Sequence, residues 1–118
     1  MKLYLDDQFM PVGSYLLLAQ RMGDAKEIYL TEWTIVRNYN TFVNFVSEHY
    51  QEITHVSFDY DLDVDIDYMG KNGLDCALWF KHFYEEKQHP LPKIYIHSRN
   101  QFGVQYIWNV FPFPTAKY

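Results

Sequence analysis

The stretch VSFDYDLDVDID, from Val56 to Asp67, has an aspartate at every second position from Asp59 onward. Side chains alternate between the two faces of a strand, so an extended run would place five carboxylates on one face. Like charges in such a row repel each other. We therefore expect a strand that ends at Asp59 and an acidic segment after it. The question is whether some of these carboxylates hold a cation.

The alternating aspartates also resemble the start of an EF-hand calcium loop, but the rest of that pattern is missing. An EF-hand loop needs glycine at its sixth position and glutamate at its twelfth. Counted from Asp59, those positions hold Val64 and Gly70. We therefore expect Asp59, together with Asp61, to act at the end of the strand. The three later aspartates are expected in a solvated loop: Asp63, Asp65 and Asp67.

Composition limits the class of protein. The chain has 118 residues, of which 48 % are apolar and 19 % aromatic, and this suits one domain over 1–118 with a sizeable core. Its net charge of −5 disfavours a broad nucleic-acid-binding surface. One cysteine, Cys76, excludes an internal disulfide, and no apolar run reaches the length of a membrane span. The acidic N-terminus lacks a signal peptide, so we expect a cytoplasmic protein.

Periodicity and composition predict strands alternating with helices. Strands are predicted at 2–5, 27–36, 54–58 and 93–96. Helices are predicted at 14–22, 41–50, 73–87 and 101–111, with Asn40 as a candidate cap of the second helix. The third helix has a predicted apolar stripe of Leu74, Ala77, Leu78 and Phe83. Residues 113–118 are predicted to be a loose tail.

This alternation predicts an α/β fold with an open, mainly parallel sheet of about four strands and flanking helices. Ligands of such sheets bind outside the carboxyl ends of the strands. Polar residues follow three predicted strands at this edge: Asp6 and Asp7, Asp59 and Asp61, and His97, Ser98 and Asn100. Their convergence is the main sequence argument for a functional site.

Two interpretations of each polar cluster remain open. Asp6, Asp7 and Asp59 supply the oxygen ligands that Mg²⁺ prefers, but two aspartates after a strand can also cap a turn. His97 is either a hydrogen-bonded structural residue or an acid–base group near neutral pH.

The residues after His97 also allow two interpretations. Ser98 and Asn100 can cap the last helix, whose N-terminus would then bind an anion. Arg99 either neutralises a phosphate or is solvated.

Four motifs give the chain a family resemblance: LYLDD (3–7), SFDYDLD (57–63), NGLDCALWF (72–80) and IHSRNQFG (96–103). The chain resembles the response-regulator receiver fold, and within it the cyclic-phosphate-processing receiver domains, whose motifs include LDD, S-L-D-H-D-L-G and H-S-x-N-P-x-G. The resemblance extends from residue 1 to about 105. It implies a flavodoxin-like sheet and acidic site residues, which are Asp6, Asp7, Asp59 and Asp61. It adds six motif members, which are Gly73, Asp75, His97, Ser98, Asn100 and Gly103.

Several positions depart from the family pattern. Gln8 and Phe9 stand where the family favours an arginine after LDD, and Tyr60 replaces a histidine. Asp63 replaces a glycine and Gln101 a proline. An ordinary receiver has a fifth strand with its lysine. Neither has an obvious place in this sequence, because Lys117 lies too near the end of the chain to be that lysine. Phosphorelay through Asp59 is therefore disfavoured.

The resemblance implies processing of a cyclic phosphate, such as a 2′,3′-cyclic RNA end or a cyclic nucleotide, with Mg²⁺ or Mn²⁺. Asp59 and His97 would be catalytic, and Asp6, Asp7, Asp59 and Asp61 would be metal ligands. Ser98, Arg99 and Asn100 would bind the phosphate. The alternative is a catalytically degenerate module that binds a protein partner, such as a regulator or a viral inhibitor of a host factor.

Overall fold

The computed structural model describes residues 1–17, 23–62 and 70–117. The described strands are β1 (Lys2–Leu5), β2 (Thr34–Val36), β3 (His55–Phe58), β4 (Lys93–Ile96) and β5 (Ala116–Lys117). The described helices are α1 (Pro11–Leu17), α2 (Tyr39–His49), α3 (Gly73–Glu86) and α4 (Gln101–Trp108), and a 3₁₀ helix spans Gly23–Leu30. None of these helices is long and apolar enough to span a membrane.

The strands form one parallel sheet in the order β2-β1-β3-β4-β5. This is the flavodoxin-like order, in which the sheet reverses its direction of growth between β1 and β3. The predicted fold class is confirmed, but the prediction that a fifth strand has no place is wrong. In β5, Ala116 pairs with Tyr95 and Lys117 with Ile96, so residues 116–117 are not a loose tail. A strand of two residues is too short to produce a periodic signal in the sequence.

The predicted strand over 27–36 is only partly correct. Residues 23–30 form the 3₁₀ helix, and the strand is limited to Thr34–Val36. Tyr29 and Trp33, whose aromatic side chains suggested a strand, instead pack against Tyr4 on one face of the sheet. Strand propensity largely measures packing on a half-buried surface, and here tertiary contacts satisfied it without a strand.

Two helix starts also differ from the predictions. Helix α1 begins at Pro11 rather than Ser14, with proline in the first turn where its missing N–H costs nothing. Residues 18–22 of the predicted helix lie outside the described part of the chain. Helix α2 is capped by Asn38, not Asn40, because the Asn38 side chain accepts from the Thr41 amide at 2.9 Å in a capping box.

The buried stripe of α3 is rotated from its predicted position. Leu78 is 52 % exposed, and the helix buries Cys76, Ala77, Phe80 and Tyr84. The helix ends close to the predicted boundary, at Glu86, and α4 ends at Trp108 rather than residue 111.

The two faces of the sheet differ in chemistry. We call one the apolar face, whose buried side chains pack with α2, α3 and α4 in the main core: Leu3, Leu5, Val56, Phe58, Ile94 and Ile96. We call the other the polar face, where the register aligns Tyr4, Ser57 and Tyr95 in one row. Two residues further along each strand direction come Asp6, Asp59 and His97. The polar face therefore leads directly to the predicted site.

Candidate functional site

Asp6 follows β1 and is held from two sides. Its Oδ1 accepts the backbone N–H groups of Gln8 at 2.9 Å and Phe9 at 2.8 Å, so the carboxylate closes the turn that follows the strand. Its Oδ2 lies 3.1 Å from Nε2 of His97. Burial raises the pKa of Asp6, but the contact with His97 and the two backbone N–H groups outweigh burial and lower it below its usual value. Asp6 is therefore an ionised, buried carboxylate.

Arg37, which sequence reasoning missed, fixes the backbone of the same turn. Its guanidinium donates to the carbonyl oxygens of Asp6 at 3.1 Å and Phe9 at 2.9 Å. Arg37 follows β2, whose pairing with β1 places it beside the turn. The available signal was a basic residue directly after a strand. Its position in the sequence does not indicate that its side chain contacts residues 6 to 9.

Asp59 completes a cluster of three carboxylates. One carboxylate oxygen each from Asp6, Asp7 and Asp59 lie within 4.8 Å of one another. The backbone amide of Asp59 donates to Leu5 at 3.0 Å, which extends the β1–β3 pairing and places the two strand ends side by side. Burial, with the charges of Asp6 and Asp7 next in importance, raises the pKa of Asp59 to about 8. A carboxyl group in this position is expected to be protonated at neutral pH unless a cation accompanies it.

His97 is buried beneath the carboxylates. It is 3 % exposed, and its ring stacks on Tyr4 with the ring centres 4.3 Å apart. Nε2 faces Asp6, and Nδ1 lies 2.6 Å from Oγ of Ser57, so both ring nitrogens have partners. Burial lowers the pKa of His97 below its usual value, against the opposing effect of Asp6.

The three residues after His97 have different positions. Ser98 is buried, and its Oγ accepts the Asn100 amide at 3.2 Å. Arg99 is exposed, with its guanidinium 5.6 Å from the centre of the Phe9 ring. Asn100 caps α4 through Gly103, at 3.0 Å, which is the capping role left open by the sequence.

Two glycines allow α3 and α4 to approach the segment after β3. A Cβ on Gly73 would lie 1.7 Å from the Asp59 carbonyl oxygen, and one on Gly103 would lie 2.2 Å from the Tyr60 ring. Both distances are far below contact distance. Gly73, with Asn72 and Asp75 in a capping box, thus supports the site without lining it.

The carboxylates lie in an open cleft of about 310 Å³ at the carboxyl end of the sheet. Its lining residues are Asp6, Asp7, Gln8, Phe9, Ser14, Asp59, Asp61, Leu62, His97, Ser98 and Arg99. Asp61 is exposed on the lining but does not belong to the set of three converging carboxylates. Its role as a metal ligand stays a prediction, and Asp63, Asp65 and Asp67 lie outside the described residues.

Comparison with known proteins now identifies the class. Residues 1–111 match the family model described as the cyclic-phosphate processing receiver domain, so the chain belongs to that family. The solved BeF3-activated N-terminal receiver domain of RstA from Klebsiella pneumoniae is similar in fold, with a TM-score of 0.56 and 9 % identity. The match covers 98 % of this chain and 81 % of that receiver. No curated protein sequence matches the chain.

Proposed function

We propose that the cleft binds a divalent cation through Asp6, Asp7 and Asp59 and uses it to hydrolyse a cyclic phosphodiester. The observation that supports this proposal best is the convergence of three carboxylates within 4.8 Å at the rim where the family resemblance expects a site. Mg²⁺ and Mn²⁺ suit such a set, because hard cations take carboxylate oxygens and keep several waters.

The charge balance of the cleft supports a cation. Asp6, Asp7, Asp59 and Asp61 line it, and Arg99 is the one lysine or arginine among the described residues that do so. A phosphate alone would be repelled by this arrangement. The raised pKa of Asp59 has the same cause, since burial and neighbouring carboxylates disfavour its charged form. The three carboxylates therefore fit a divalent cation, whose charge would balance theirs.

The proposed reaction is hydrolysis. A water oxygen forms a bond to phosphorus and releases one proton to solvent, one ester P–O bond breaks, and the released ribose oxygen takes up one proton from solvent. A divalent cation, when bound, lowers the pKa of water and stabilises charge on phosphoryl oxygens. In this proposal, Arg99 at the mouth of the cleft and the Ser98 hydroxyl orient the phosphate. Asn100 would contribute through the start of α4, because its own side chain caps that helix.

The contacts of His97 bear on its proposed catalytic role. Transfer of a proton to the leaving oxygen would need a ring nitrogen that reaches the cleft. Both nitrogens instead have buried partners, Asp6 and Ser57. We therefore propose that solvent supplies this proton.

The test is turnover of a nucleoside 2′,3′-cyclic phosphate with and without millimolar Mn²⁺ or Mg²⁺. Wild-type protein is expected to open the ring only with the cation. Asp59→Asn should abolish turnover, and Glu86→Gln is the matched control, because Glu86 is an exposed carboxylate on α3 that does not line the cleft. Turnover that is insensitive to chelation, or that survives in Asp59→Asn, would contradict the proposal.

A second candidate function is protein binding by a catalytically inactive site. Phe102 is 77 % exposed and Tyr106 is 51 % exposed, and their spacing on α4 places them on one helix face. Exposed aromatic residues are enriched in protein interfaces. The test applies if no cyclic phosphate is turned over. This function would be favoured if the double variant Phe102→Ser, Tyr106→Ser loses binding to a protein partner and the control variant Leu78→Ser keeps it. Retained binding in the double variant would exclude this surface.

A further inference from the structure

A row of buried polar side chains leads from the cleft into the polar face of the sheet. Behind Asp6 comes His97, then Ser57 in the middle of β3, whose Oγ lies 2.6 Å from Nδ1 of His97. The Tyr29 hydroxyl of the 3₁₀ helix lies 2.6 Å from the same Oγ. The exposures are 2 % for Asp6, 3 % for His97, 0 % for Ser57 and 1 % for Tyr29.

The hydrogen bonds of this row can be satisfied with one consistent polarity. An ionised Asp6 only accepts, so Nε2 of His97 carries the hydrogen between them. A neutral imidazole then accepts at Nδ1, so the Ser57 hydroxyl donates to it. The Tyr29 hydroxyl in turn donates to Ser57. Each hydroxyl and ring nitrogen thus orients the next one.

The position of the row argues against a purely structural explanation. A serine at the centre of a buried parallel strand gives up the apolar packing that neighbouring Val56 and Phe58 make on the opposite face. Buried polar groups cost stability unless they are fully paired. The row connects Tyr29, in the protein interior, with a carboxylate that lines the cleft. What it orients is therefore the cleft carboxylate.

We propose that Tyr29, Ser57 and His97 are positioning residues that hold the Asp6 carboxylate in the orientation required for cation binding. The cation itself rests on the proposed function above. In metal sites, groups that hydrogen-bond to the ligands fix their orientation and their affinity for the ion. Tyr29 is the member of the row furthest from Asp6, so the 3₁₀ helix influences a site that none of its described residues lines.

Three variants test this row of hydrogen-bonded side chains. Ser57→Ala interrupts the row at its centre, and Tyr29→Phe removes only the hydroxyl furthest from Asp6. Tyr84→Phe is the matched control: Tyr84 is 1 % exposed, like Tyr29, but its hydroxyl donates to Tyr50 at 2.7 Å in the main core. The measurements are the melting temperature without metal, the Mn²⁺ dissociation constant, and amide hydrogen exchange at Gln8 and Phe9, whose N–H groups bind Asp6.

We expect Ser57→Ala to weaken Mn²⁺ binding about tenfold or more, with a smaller loss in Tyr29→Phe and none in Tyr84→Phe. Exchange at Gln8 and Phe9 should accelerate in the same order. If Tyr29→Phe and Tyr84→Phe lower the melting temperature equally and Gln8 and Phe9 exchange as in wild type in both, Tyr29 does not act on Asp6 and the proposal fails.

The exchange measurement separates this proposal from the proposed function. If wild-type protein does not bind Mn²⁺ at all, the proposed function fails. Faster amide exchange at Gln8 and Phe9 in Ser57→Ala would still show that the row of buried side chains holds Asp6. Unchanged exchange in Ser57→Ala would overturn the positioning role, whatever the affinity for Mn²⁺.

Discussion

The two faces of the sheet are built on the same strands but use opposite chemistry. On the apolar face, Leu5, Phe58 and Ile96 are fully buried against three helices. On the polar face, Tyr4 and Ser57 are equally buried, but their hydroxyls are hydrogen-bonded and the cover is the smaller cluster with Tyr29 and Trp33. Equal burial therefore has different consequences: one face supplies most of the apolar packing, and the other leads to the carboxylates.

This contrast predicts that substitutions on the two faces are separable. A change on the apolar face should lower the free energy of unfolding and leave the properties of the folded site alone. A change on the polar face should alter the site for a modest loss of stability. Four predictions test this separation, from the largest expected effect to the smallest.

The largest effect is expected from Phe80→Ala. Phe80 is fully buried in the main core on α3, so its truncation should lower the free energy of unfolding by about 3–5 kcal/mol. Mn²⁺ affinity of the folded fraction should not change. Leu78→Ala on the same helix is the control, because this side chain is 52 % exposed and its loss should cost less than about 0.5 kcal/mol. Urea unfolding measures both, and weaker Mn²⁺ binding in Phe80→Ala would break the separation.

Gly73→Ala should affect both stability and the site. The new Cβ would meet the Asp59 carbonyl, which is backbone and can move only if the strand end moves. Overpacking of this kind costs about 3 kcal/mol. Gly13→Ala is the control, since its nearest neighbour would be Phe9 at 3.6 Å, an ordinary contact. Thermal unfolding and Mn²⁺ titration should show losses in Gly73→Ala alone, and a Gly73→Ala protein as stable as wild type would contradict the close approach.

Asp59→Asn should stabilise the metal-free protein, increasingly so as the pH rises. Because the pKa of Asp59 is raised to about 8, folded protein retains a proton that the unfolded chain has already lost above about pH 4. Stability conferred by this proton falls as the pH approaches the folded pKa. The variant lacks this loss, and its advantage over wild type should grow by on the order of 2 kcal/mol from pH 5 to pH 7.

Urea unfolding in chelator, repeated across that pH range, measures this difference. Groups such as His97 titrate in both proteins, so the difference between them isolates Asp59. A constant difference would mean that Asp59 has no raised pKa. Saturating Mg²⁺ should reverse the order, because the cation stabilises only the protein that retains the carboxylate.

The smallest effect is expected from Arg37→Gln. This substitution removes the charge from the group that binds the carbonyl oxygens of Asp6 and Phe9, and we expect a loss of about 1 kcal/mol. The turn after β1 should loosen, so that amide exchange at Gln8 accelerates while the main core is unaffected. Lys71→Gln, which alters a cation next to Tyr39 away from the cleft, should change neither. Unchanged exchange in Arg37→Gln would show that the turn holds without the guanidinium.

The sequence predicted those parts of the fold that depend on local pattern. Polar residues after Leu5, Phe58 and Ile96 identified the site, because the ends of parallel strands meet at one edge. It did not predict the 3₁₀ helix, which depends on the packing of Tyr29 against Tyr4 and Trp33, or β5, which depends on pairing with the edge of β4. The roles of Ser57 and Arg37 depend on partners 40 and 31 residues away, and no single-sequence pattern indicates such pairings.

The row of Tyr4, Ser57 and Tyr95 also affects how the sheet can assemble. Successive residues of a strand face opposite ways. A shift of β3 by one position against its neighbours would therefore turn Ser57 to the apolar face and Phe58 to the polar face, toward His97. An uninterrupted run of valines and isoleucines would tolerate such a slip far better. Ser57 thus helps to specify the register of the strands. A sheet in the wrong register would leave the Ser57 hydroxyl and Nδ1 of His97 without their hydrogen bond to each other.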